Sequence, residues 1–155
     1  MCGGGFFVII SGTFCNQYDQ YMSRHDPAFI EQKIAYSESR IAKVVFPPTI
    51  NHHSTLFGGA ALAWMDEVSF ITATRFCRKR LVTVSTEKIN FQTPIPSGSI
   101  VELVGRVSRV GNTSLTVTVT VFLESMYQDG SEAVINGQFN FVAVDDNGKS
   151  TPLFD

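Results

Sequence analysis

Residues 57–76 predict one long helix that has no polar face. Apolar or small side chains occupy almost every position, and Gly58-Gly59 stands at its start. A helix that is apolar on all sides is either a membrane span or an element buried in a core. Asp66 and Glu67 lie at its centre, where a carboxylate costs roughly 2.5–3.5 kcal/mol in a bilayer. The sequence therefore predicts a buried core helix and no membrane partner.

The second half of the chain predicts a sheet. Alternating apolar residues indicate strands over 81–91, 100–110, 115–123 and 133–144, while 27–35 predicts a short helix and 40–46 a first strand. The apolar phase slips within 81–91, which predicts a bulge near Glu87. Short turns such as Gly111-Asn112 make successive strands antiparallel neighbours. The predicted fold class is α+β, with an antiparallel sheet wrapped on one helix.

Composition indicates one domain that has a partner. The chain has 155 residues, of which 44% are hydrophobic and 17% charged, and one domain of this size hides too little of that apolar surface. We therefore expect a homo-oligomer, most simply a dimer that covers the free side of the helix. The domain is expected over 22–155, with residues 1–21 as an N-terminal extension of unassigned role.

Charge and cysteine content exclude several function classes. A net charge of −2, with 12 basic and 14 acidic residues, argues against nucleic acid as a partner. Three widely spaced cysteines without a CxxC pair favour a reducing, cytoplasmic setting, and no local motif supports Cys77 as a nucleophile. Adjacent His52 and His53 do not face one ion, so no metal site is expected. The cluster Arg78-Lys79-Arg80 is typical of a solvated helix end, with an anionic ligand as the alternative.

Asp66 is the residue best suited to chemistry. Its neighbours on the helix surface are small or apolar, and no Lys or Arg lies three or four positions away to pair with it. Such a carboxylate is expected to be desolvated, which suits a general base. The alternative is that Asp66 pairs with a polar group of another strand or subunit. Glu67 is expected to be an exposed or interface charge.

Residues before and after Asp66 could complete a site. The N–H groups of Gly58 and Gly59, with no side chains over the first helical turn, could bind an oxyanion, although close helix packing also explains glycine there. Asn51 could orient water or a carbonyl, or it could cap its own loop. Thr83 could supply a hydroxyl, or it could be an ordinary β-branched strand residue.

Several segments together resemble the acyl-CoA thioester hydrolases with the hotdog fold. The resemblance runs from about 37 to 153 and is most specific in Phe57-Gly58-Gly59 followed by Trp64-Met65-Asp66-Glu67. Further matching segments are Asn51-His52-His53-Ser54, Val82-Thr83-Val84, Val110-Gly111-Asn112-Thr113-Ser114 and Phe141-Val142-Ala143-Val144-Asp145. The branch it resembles includes bacterial acyl-CoA thioesterases and the cytosolic acyl-CoA hydrolases of animals.

The resemblance implies a fold, an assembly and a reaction. The fold is a long helix wrapped by a curved antiparallel sheet. Two such chains form a dimer with a continuous sheet and two active sites at its interface, and trimers of these dimers are common. The implied reaction is hydrolysis of acyl-CoA to fatty acid and CoA. No metal or other cofactor is expected, because CoA is already a reasonable leaving group.

The resemblance also implies roles for individual residues. Asp66 matches the catalytic carboxylate, Asn51 the active-site asparagine, and Thr83 lies near a threonine that completes the site from the opposing subunit. The Gly59 amide is expected to stabilise the oxyanion. Residues expected to contact the substrate or its CoA part are Gly58, His53, Arg75, Gly111, Asn112, Thr113 and Ser114. Ser54 stands where the family usually has glycine, so a positive φ there would strain this loop.

The sequence leaves two other functions open. A hotdog dehydratase that acts on 3-hydroxyacyl thioesters needs a histidine facing a carboxylate across the dimer, and His53 with Asp66 is the candidate pair. A non-catalytic acyl-CoA-binding module would retain CoA without releasing thiol.

Overall fold

The fold is described for residues 26–155 by a computed structural model. The order of elements is α1 (Pro27–Ser37), β1 (Ser39–Val44), α2 (Gly58–Cys77), β2 (Leu81–Phe91), β3 (Ser99–Val110), β4 (Ser114–Ser125) and β5 (Ser131–Ala143). The α+β class is confirmed, and each predicted element is present within a few residues of its expected bounds. The extension over 1–21 and the expected boundary at Met22 lie outside the described residues.

All five strands form one antiparallel sheet, in the order β1-β3-β4-β5-β2. Short turns join β3 to β4 and β4 to β5, as predicted. The prediction that β2 and β3 are neighbours is wrong, because β2 pairs with β5 at the far edge. The linker over 92–98 crosses between them: the Leu56 N–H donates to the Ile95 carbonyl and the Gly98 N–H to the Val45 carbonyl, each at 2.8 Å.

Helix α2 packs on the sheet with one face only. Its buried residues are Ala61, Met65, Val68, Ser69, Thr72, Ala73, Phe76 and Cys77. Gly105 of β3 permits the close approach, since a Cβ there would lie 2.5 Å from Thr72 Oγ1 and 3.2 Å from the Val68 carbonyl oxygen. On the uncovered side of the helix, Leu62 and Phe70 are 37% and 46% exposed. The sheet therefore covers one side of α2 only, as the sequence predicts for the single chain.

The edge strand β2 carries two register shifts, one between Thr83 and Ser85 and one between Glu87 and Asn90. The bulge predicted near Glu87 is thus confirmed. Before the first shift, Thr83 lies opposite Phe141, whose buried ring is 6.4 Å from that of Phe70 on α2. Because directly opposite residues share a face of the sheet, Thr83 belongs to the helix side.

Neither of the two helices described within residues 26–155 combines the length and the apolar character that a membrane-spanning helix requires.

Candidate active site

Helix α2 begins with two backbone N–H groups that have no acceptor within the described chain. Phe57, the residue before it, is extended (φ −66°, ψ 129°) and supplies no side-chain cap. The N–H groups of Ala60 and Ala61 both donate to the Phe57 carbonyl, at 2.9 and 3.1 Å. Those of Gly58 and Gly59 are left at the positive end of the helix dipole. This is the arrangement that binds an oxygen carrying negative charge.

The two glycines differ in the space around them. A Cβ on Gly58 would lie 3.7 Å from the Phe91 ring, an ordinary contact, whereas a Cβ on Gly59 would lie 2.6 Å from the Phe57 ring. The crowding at Gly59 comes from the helix start itself and not from the sheet. Close helix–sheet packing therefore does not explain this glycine.

Asp66 lies seven residues after Gly59, about two helical turns, and so on the same side of α2. Both residues are exposed in the single chain, as are Leu62 and Ala63 between them. The expected desolvation of Asp66 is therefore wrong for the single chain, because the sheet leaves this face of α2 uncovered. No ion pair or hydrogen bond of the Asp66 carboxylate occurs among residues 26–155. A second element would have to cover this face to desolvate it.

Glu67 is an exposed charge, as predicted. Its carboxylate is 3.7 Å from Lys43 Nζ of β1, and its side chain is 52% exposed. The same ammonium lies over the Trp64 ring, 5.6 Å from the ring centroid. These contacts join α2 to β1. They give Glu67 a structural role, which differs from the catalytic role expected of Asp66.

The Asn51 side chain organises the loop that leads to α2. Its Oδ1 accepts from the N–H groups of His53 and Thr55, at 2.9 and 3.2 Å, and from Thr55 Oγ1 at 3.2 Å. Its Nδ2 has no acceptor in the part of the chain that the structure describes. The oxygen therefore caps the loop, while the amide N–H groups stay available to a ligand. Ser54, in the same loop, has the positive φ of 58° expected where the family usually has glycine.

Thr83 completes the set of polar candidates, and it is exposed on β2. Its hydroxyl forms no hydrogen bond with a described residue. Within one chain, no hydrogen bond or ion pair joins any two of Asn51, Asp66 and Thr83. The single chain thus presents the three groups at its surface without assembling them.

The described structure does not place His53 or Cys77 in a second catalytic centre. The His53 ring is exposed, with its centroid 3.8 Å from that of His52, and no hydrogen bond or ion pair joins it to Asp66 in the described residues. Burial raises the pKa of the Cys77 thiol, which is unfavourable for a nucleophile. Residues 26–155 contain no group of three or more His, Cys, Asp or Glu that could hold a metal ion.

Arg75 lies away from the edge strand β2. Its Nη1 donates to Ser39 Oγ at 3.0 Å, and Ser39 begins β1 at the other edge of the sheet. This contact gives Arg75 a structural role in joining α2 to β1. Its expected contact with CoA remains a prediction that this position does not favour.

The cluster Arg78-Lys79-Arg80 forms the solvated helix end that the sequence predicts. Arg78 adopts φ 54° and ends α2. Lys79 Nζ lies 2.8 Å from an Asp155 oxygen, and Arg80 lies 3.9 Å from Asp146. Two of the three cations therefore have carboxylate partners near the C-terminus.

The turn from Gly111 to Ser114 is fixed by backbone bonds. The Gly111 N–H donates to the Ser114 carbonyl at 2.7 Å, and the Asn112 carbonyl accepts from the Leu153 N–H at 2.9 Å. The Thr113 carbonyl accepts from the end of β5 at 2.8 Å. The main chain of this turn is thus held by the C-terminal segment, and its side chains have no hydrogen-bond partner in the described chain.

A polar cluster on the sheet face away from α2 was not predicted. Asn140 Nδ2 donates to Ser85 Oγ at 2.9 Å and to Glu87 Oε1 at 2.8 Å, while its Oδ1 accepts from Thr116 Oγ1 at 2.7 Å. The cluster lines a cavity of about 550 Å³ that also includes Lys88, Arg109 and Ser114. The sequence signal was the run of Thr116, Thr118 and Thr120 between apolar positions of β4.

Comparisons with known proteins find similarity in sequence. The family model "Thioesterase superfamily" matches residues 53–128. The chain is 37% identical over 118 residues to the uncharacterized acyl-CoA thioester hydrolase YkhA of Bacillus subtilis, which covers 75% of this chain and 69% of that protein. It spans smaller shares of other relatives: 63% of the Helicobacter pylori protein VdlD and 32% of the human cytosolic acyl coenzyme A thioester hydrolase.

Comparisons of structure find the same fold. An acyl-CoA hydrolase of Staphylococcus aureus, solved with butyryl coenzyme A and coenzyme A, superposes with a TM-score of 0.74 at 34% identity, covering 77% of this chain and 73% of that one. An apo-hexameric acyl-CoA thioesterase gives 0.74 at 32% identity, covering 77% and 76%. The arrangement of α2 on its sheet is therefore the hotdog fold.

The Staphylococcus aureus enzyme was also solved as alanine variants of an asparagine, an aspartate and a threonine. In that chain the aspartate follows the asparagine by 15 residues and precedes the threonine by 17. Asn51, Asp66 and Thr83 have the same two spacings.

Proposed function

Because the chain belongs to the thioesterase superfamily, we propose that it is an acyl-CoA thioesterase, which hydrolyses acyl-CoA to a free fatty acid and CoA. The observation that carries this proposal is the exposed face of α2. Two N–H groups without acceptors among residues 26–155, on Gly58 and Gly59, stand at its start, and Asp66 lies on the same face two turns later. Oxyanion donors and a carboxylate are the two parts that water needs to attack a thioester carbonyl.

In the proposed mechanism Asp66 acts as a general base on water. The water oxygen attacks the thioester carbon while its proton passes to Asp66, and the Gly59 N–H stabilises the resulting oxyanion. The C–S bond then breaks, and CoA leaves as the thiol after taking up that proton. Asn51 Nδ2 or the Thr83 hydroxyl positions the water. A direct nucleophilic role of Asp66 is the alternative route. The equal spacing of the three residues in the Staphylococcus aureus enzyme supports this assignment.

We propose that the site is completed by a second copy of the chain. The uncovered apolar side chains beside the candidate site are Phe57, Leu62, Phe70 and Phe91. A second copy over this surface would extend the sheet through β2, desolvate Asp66 and bring Thr83 from the opposing subunit. The hexameric structure of a similar thioesterase supports a further assembly into a trimer of dimers.

Mixing two inactive variants tests the shared site. Asp66→Asn and Thr83→Ala each disable both sites of a homodimer, but a mixed dimer would keep one intact pair. With random pairing about half of the dimers are mixed, and each mixed dimer has one intact site of two. We therefore expect coexpressed, differently tagged chains to regain up to about one quarter of the wild-type kcat, calculated per active site. Asp66→Asn mixed with Asp66→Ala is the matched control, because neither chain supplies the carboxylate. Equal activity in the two mixtures would show that Asp66 and Thr83 act within one chain.

We further propose that the phosphates of CoA lie against Lys88 and Arg109. These two cations line the same 550 Å³ cavity as Ser114, a residue of the turn expected on the CoA side. Arg109→Gln is expected to raise the KM for acyl-CoA several-fold, since one charged contact to phosphate is lost. The KM for the matching acyl-pantetheine, which lacks the nucleotide, should not change. An equal rise for both thioesters would contradict this placement.

One incubation separates the proposed function from its alternatives. The purified chain of 155 residues is mixed with butanoyl-CoA and crotonyl-CoA, and free thiol and the 3-hydroxyacyl product are both measured. Thiol release is expected. Hydration of crotonyl-CoA without thiol release would indicate the dehydratase, and CoA retention with neither product would indicate a binding module. The expected cytoplasmic location rests on the cysteine pattern and is tested by fractionation.

A further inference from the structure

An apolar cavity of about 150 Å³ lies beside the first turn of α2. Its walls are Leu56 and Ala61 around the helix start, Phe91, Pro94 and Ile95 where the chain leaves β2, and Ile135 of β5. Among the described residues that line it, Thr93 has the one polar side chain and none is charged. A lining of this kind suits a hydrocarbon better than a charged ligand.

The cavity has a buried floor and an exposed mouth. Ala61, Ile95 and Ile135 are at most 3% exposed, whereas Phe91 is 49% exposed. The Phe91 ring also lies 3.7 Å from the position of a Cβ on Gly58. The mouth is therefore next to the N–H groups proposed to hold the thioester oxygen, and the floor points away from them into the core.

We propose that this cavity binds the far end of the acyl chain and limits the acyl-CoA substrates to short ones, with a maximum near six carbons. The proposal rests on the proposed thioesterase function. An engineered apolar cavity of about 150 Å³ in another protein holds one benzene molecule, which has six carbons. A chain anchored by its carbonyl at Gly58 and Gly59 would fill the space with its last carbons. Longer chains would have to leave the cavity or displace its floor.

The chain-length profile of hydrolysis follows from this geometry. Each methylene that enters the cavity favours binding about fourfold, so kcat/KM should rise from acetyl-CoA to hexanoyl-CoA. Once the cavity is full the gain ends, and we expect at least a tenfold fall between hexanoyl-CoA and decanoyl-CoA. A profile that continues to rise to palmitoyl-CoA would overturn the proposal, because the chain would then lie along the open apolar surface of α2.

Two substitutions change the cavity in opposite directions. Ile95→Ala removes three carbons from the floor and should move the optimum from hexanoyl-CoA toward octanoyl- or decanoyl-CoA. Its backbone carbonyl still accepts from the Leu56 N–H. Ala61→Val adds carbons at the helix wall and should move the optimum toward butanoyl-CoA. Ala61→Val leaves no void, so it keeps the test available if Ile95→Ala fails to fold.

The matched control is Val101→Ala, a truncation of a fully buried residue on β3 that does not line the cavity. It should leave the chain-length profile as in wild type, with circular dichroism confirming that all three variants are folded. Opposite shifts of the optimum in Ile95→Ala and Ala61→Val support the cavity as the acyl site. If both variants hydrolyse acyl-CoA with the chain-length optimum of the wild type, the assignment of the cavity as the acyl site is overturned, but the proposed thioesterase function is not. No hydrolysis of any acyl-CoA by the wild-type chain overturns the proposed function itself.

Discussion

Asp66 and Gly59 lie on the same exposed face of α2, two turns apart. One rigid helix therefore holds the backbones of the two residues about 10 Å apart along its axis. Since the N–H of Gly59 points toward the N-terminal end of α2, a carbonyl oxygen bound there would lie beyond Gly59, on the side away from Asp66. Within one chain this separation disfavours direct attack by the Asp66 carboxylate.

Gly59→Ala tests the oxyanion donors. The added Cβ would lie 2.6 Å from the far end of the exposed Phe57 side chain, so this ring must move aside. We expect kcat to fall about tenfold or more with little change in the melting temperature, because the methyl group and the displaced ring lie beside the N–H groups proposed to bind the thioester oxygen. Gly58→Ala is the matched variant, since its Cβ meets only an ordinary 3.7 Å contact and should cost less. Equal losses of kcat in the two variants would count against this geometry.

Asn51→Asp separates the two uses of this side chain. The carboxylate keeps an oxygen acceptor for the N–H groups of His53 and Thr55, but it loses the amide donor. Thermal unfolding should therefore stay close to wild type while kcat falls about 10²-fold or more. Asn51→Ala, in contrast, should lose both activity and about 1 kcal/mol of stability. Wild-type kcat in Asn51→Asp would limit Asn51 to loop capping.

Gly105→Ala tests the packing of α2 on the sheet. The new Cβ would lie 2.5 Å from Thr72 Oγ1 and 3.2 Å from a main-chain oxygen, so the helix must move away. We expect the free energy of unfolding to fall by about 1–3 kcal/mol in urea titrations. Adding Thr72→Ala removes the closest atom and should restore part of that loss. If the double variant is no more stable than Gly105→Ala, the strain does not come from Thr72.

The contribution of Glu38 to the stability of the fold is expected to be lost at acidic pH. Hydrogen bonds from Arg40 and Arg106, at 3.0 and 3.1 Å, hold the pKa of the Glu38 carboxyl below its usual range. Since the pKa is lower in the folded state, the stabilisation is complete at neutral pH and is lost as pH falls below about 4. We expect it to be about 0.5–1 kcal/mol, because the arginines are half exposed.

The measurement for Glu38 compares urea unfolding of wild type and Glu38→Gln at pH 7 and at the lowest pH where both fold. The difference between the two proteins should shrink at the lower pH. A difference that stays constant would show that these ion pairs do not contribute.

Local patterns predicted most of the fold. The apolar run predicted α2, the alternation of apolar residues predicted the strands, and the shift in that alternation predicted the bulge near Glu87. The place of β2 beside β5 could not be predicted in this way. It depends on bonds between the 92–98 linker and the distant residues Val45 and Leu56, and such bonds leave no periodic signal in either segment.

The sequence predicts residues for the candidate site, and their roles stay predictions, but it does not predict the surroundings of these residues. The helix pattern placed Asp66 among small and apolar neighbours, yet it could not say which face the sheet covers. That choice depends on Gly105, a residue of β3 that only the folded chain brings to Thr72. The contact of Arg75 with Ser39 was hidden for the same reason, since 36 residues separate the two.

The central claim is that Asp66 drives thioester hydrolysis, and kcat of Asp66→Asn tests it most directly. The substitution keeps size and shape, and the wild-type carboxylate forms no bond with the described chain, so folding and assembly should be unchanged. Thiol release from butanoyl-CoA is measured for both proteins at saturating substrate, with oligomeric state checked by light scattering. We predict that kcat falls at least about 10³-fold. A kcat within tenfold of wild type would contradict the account.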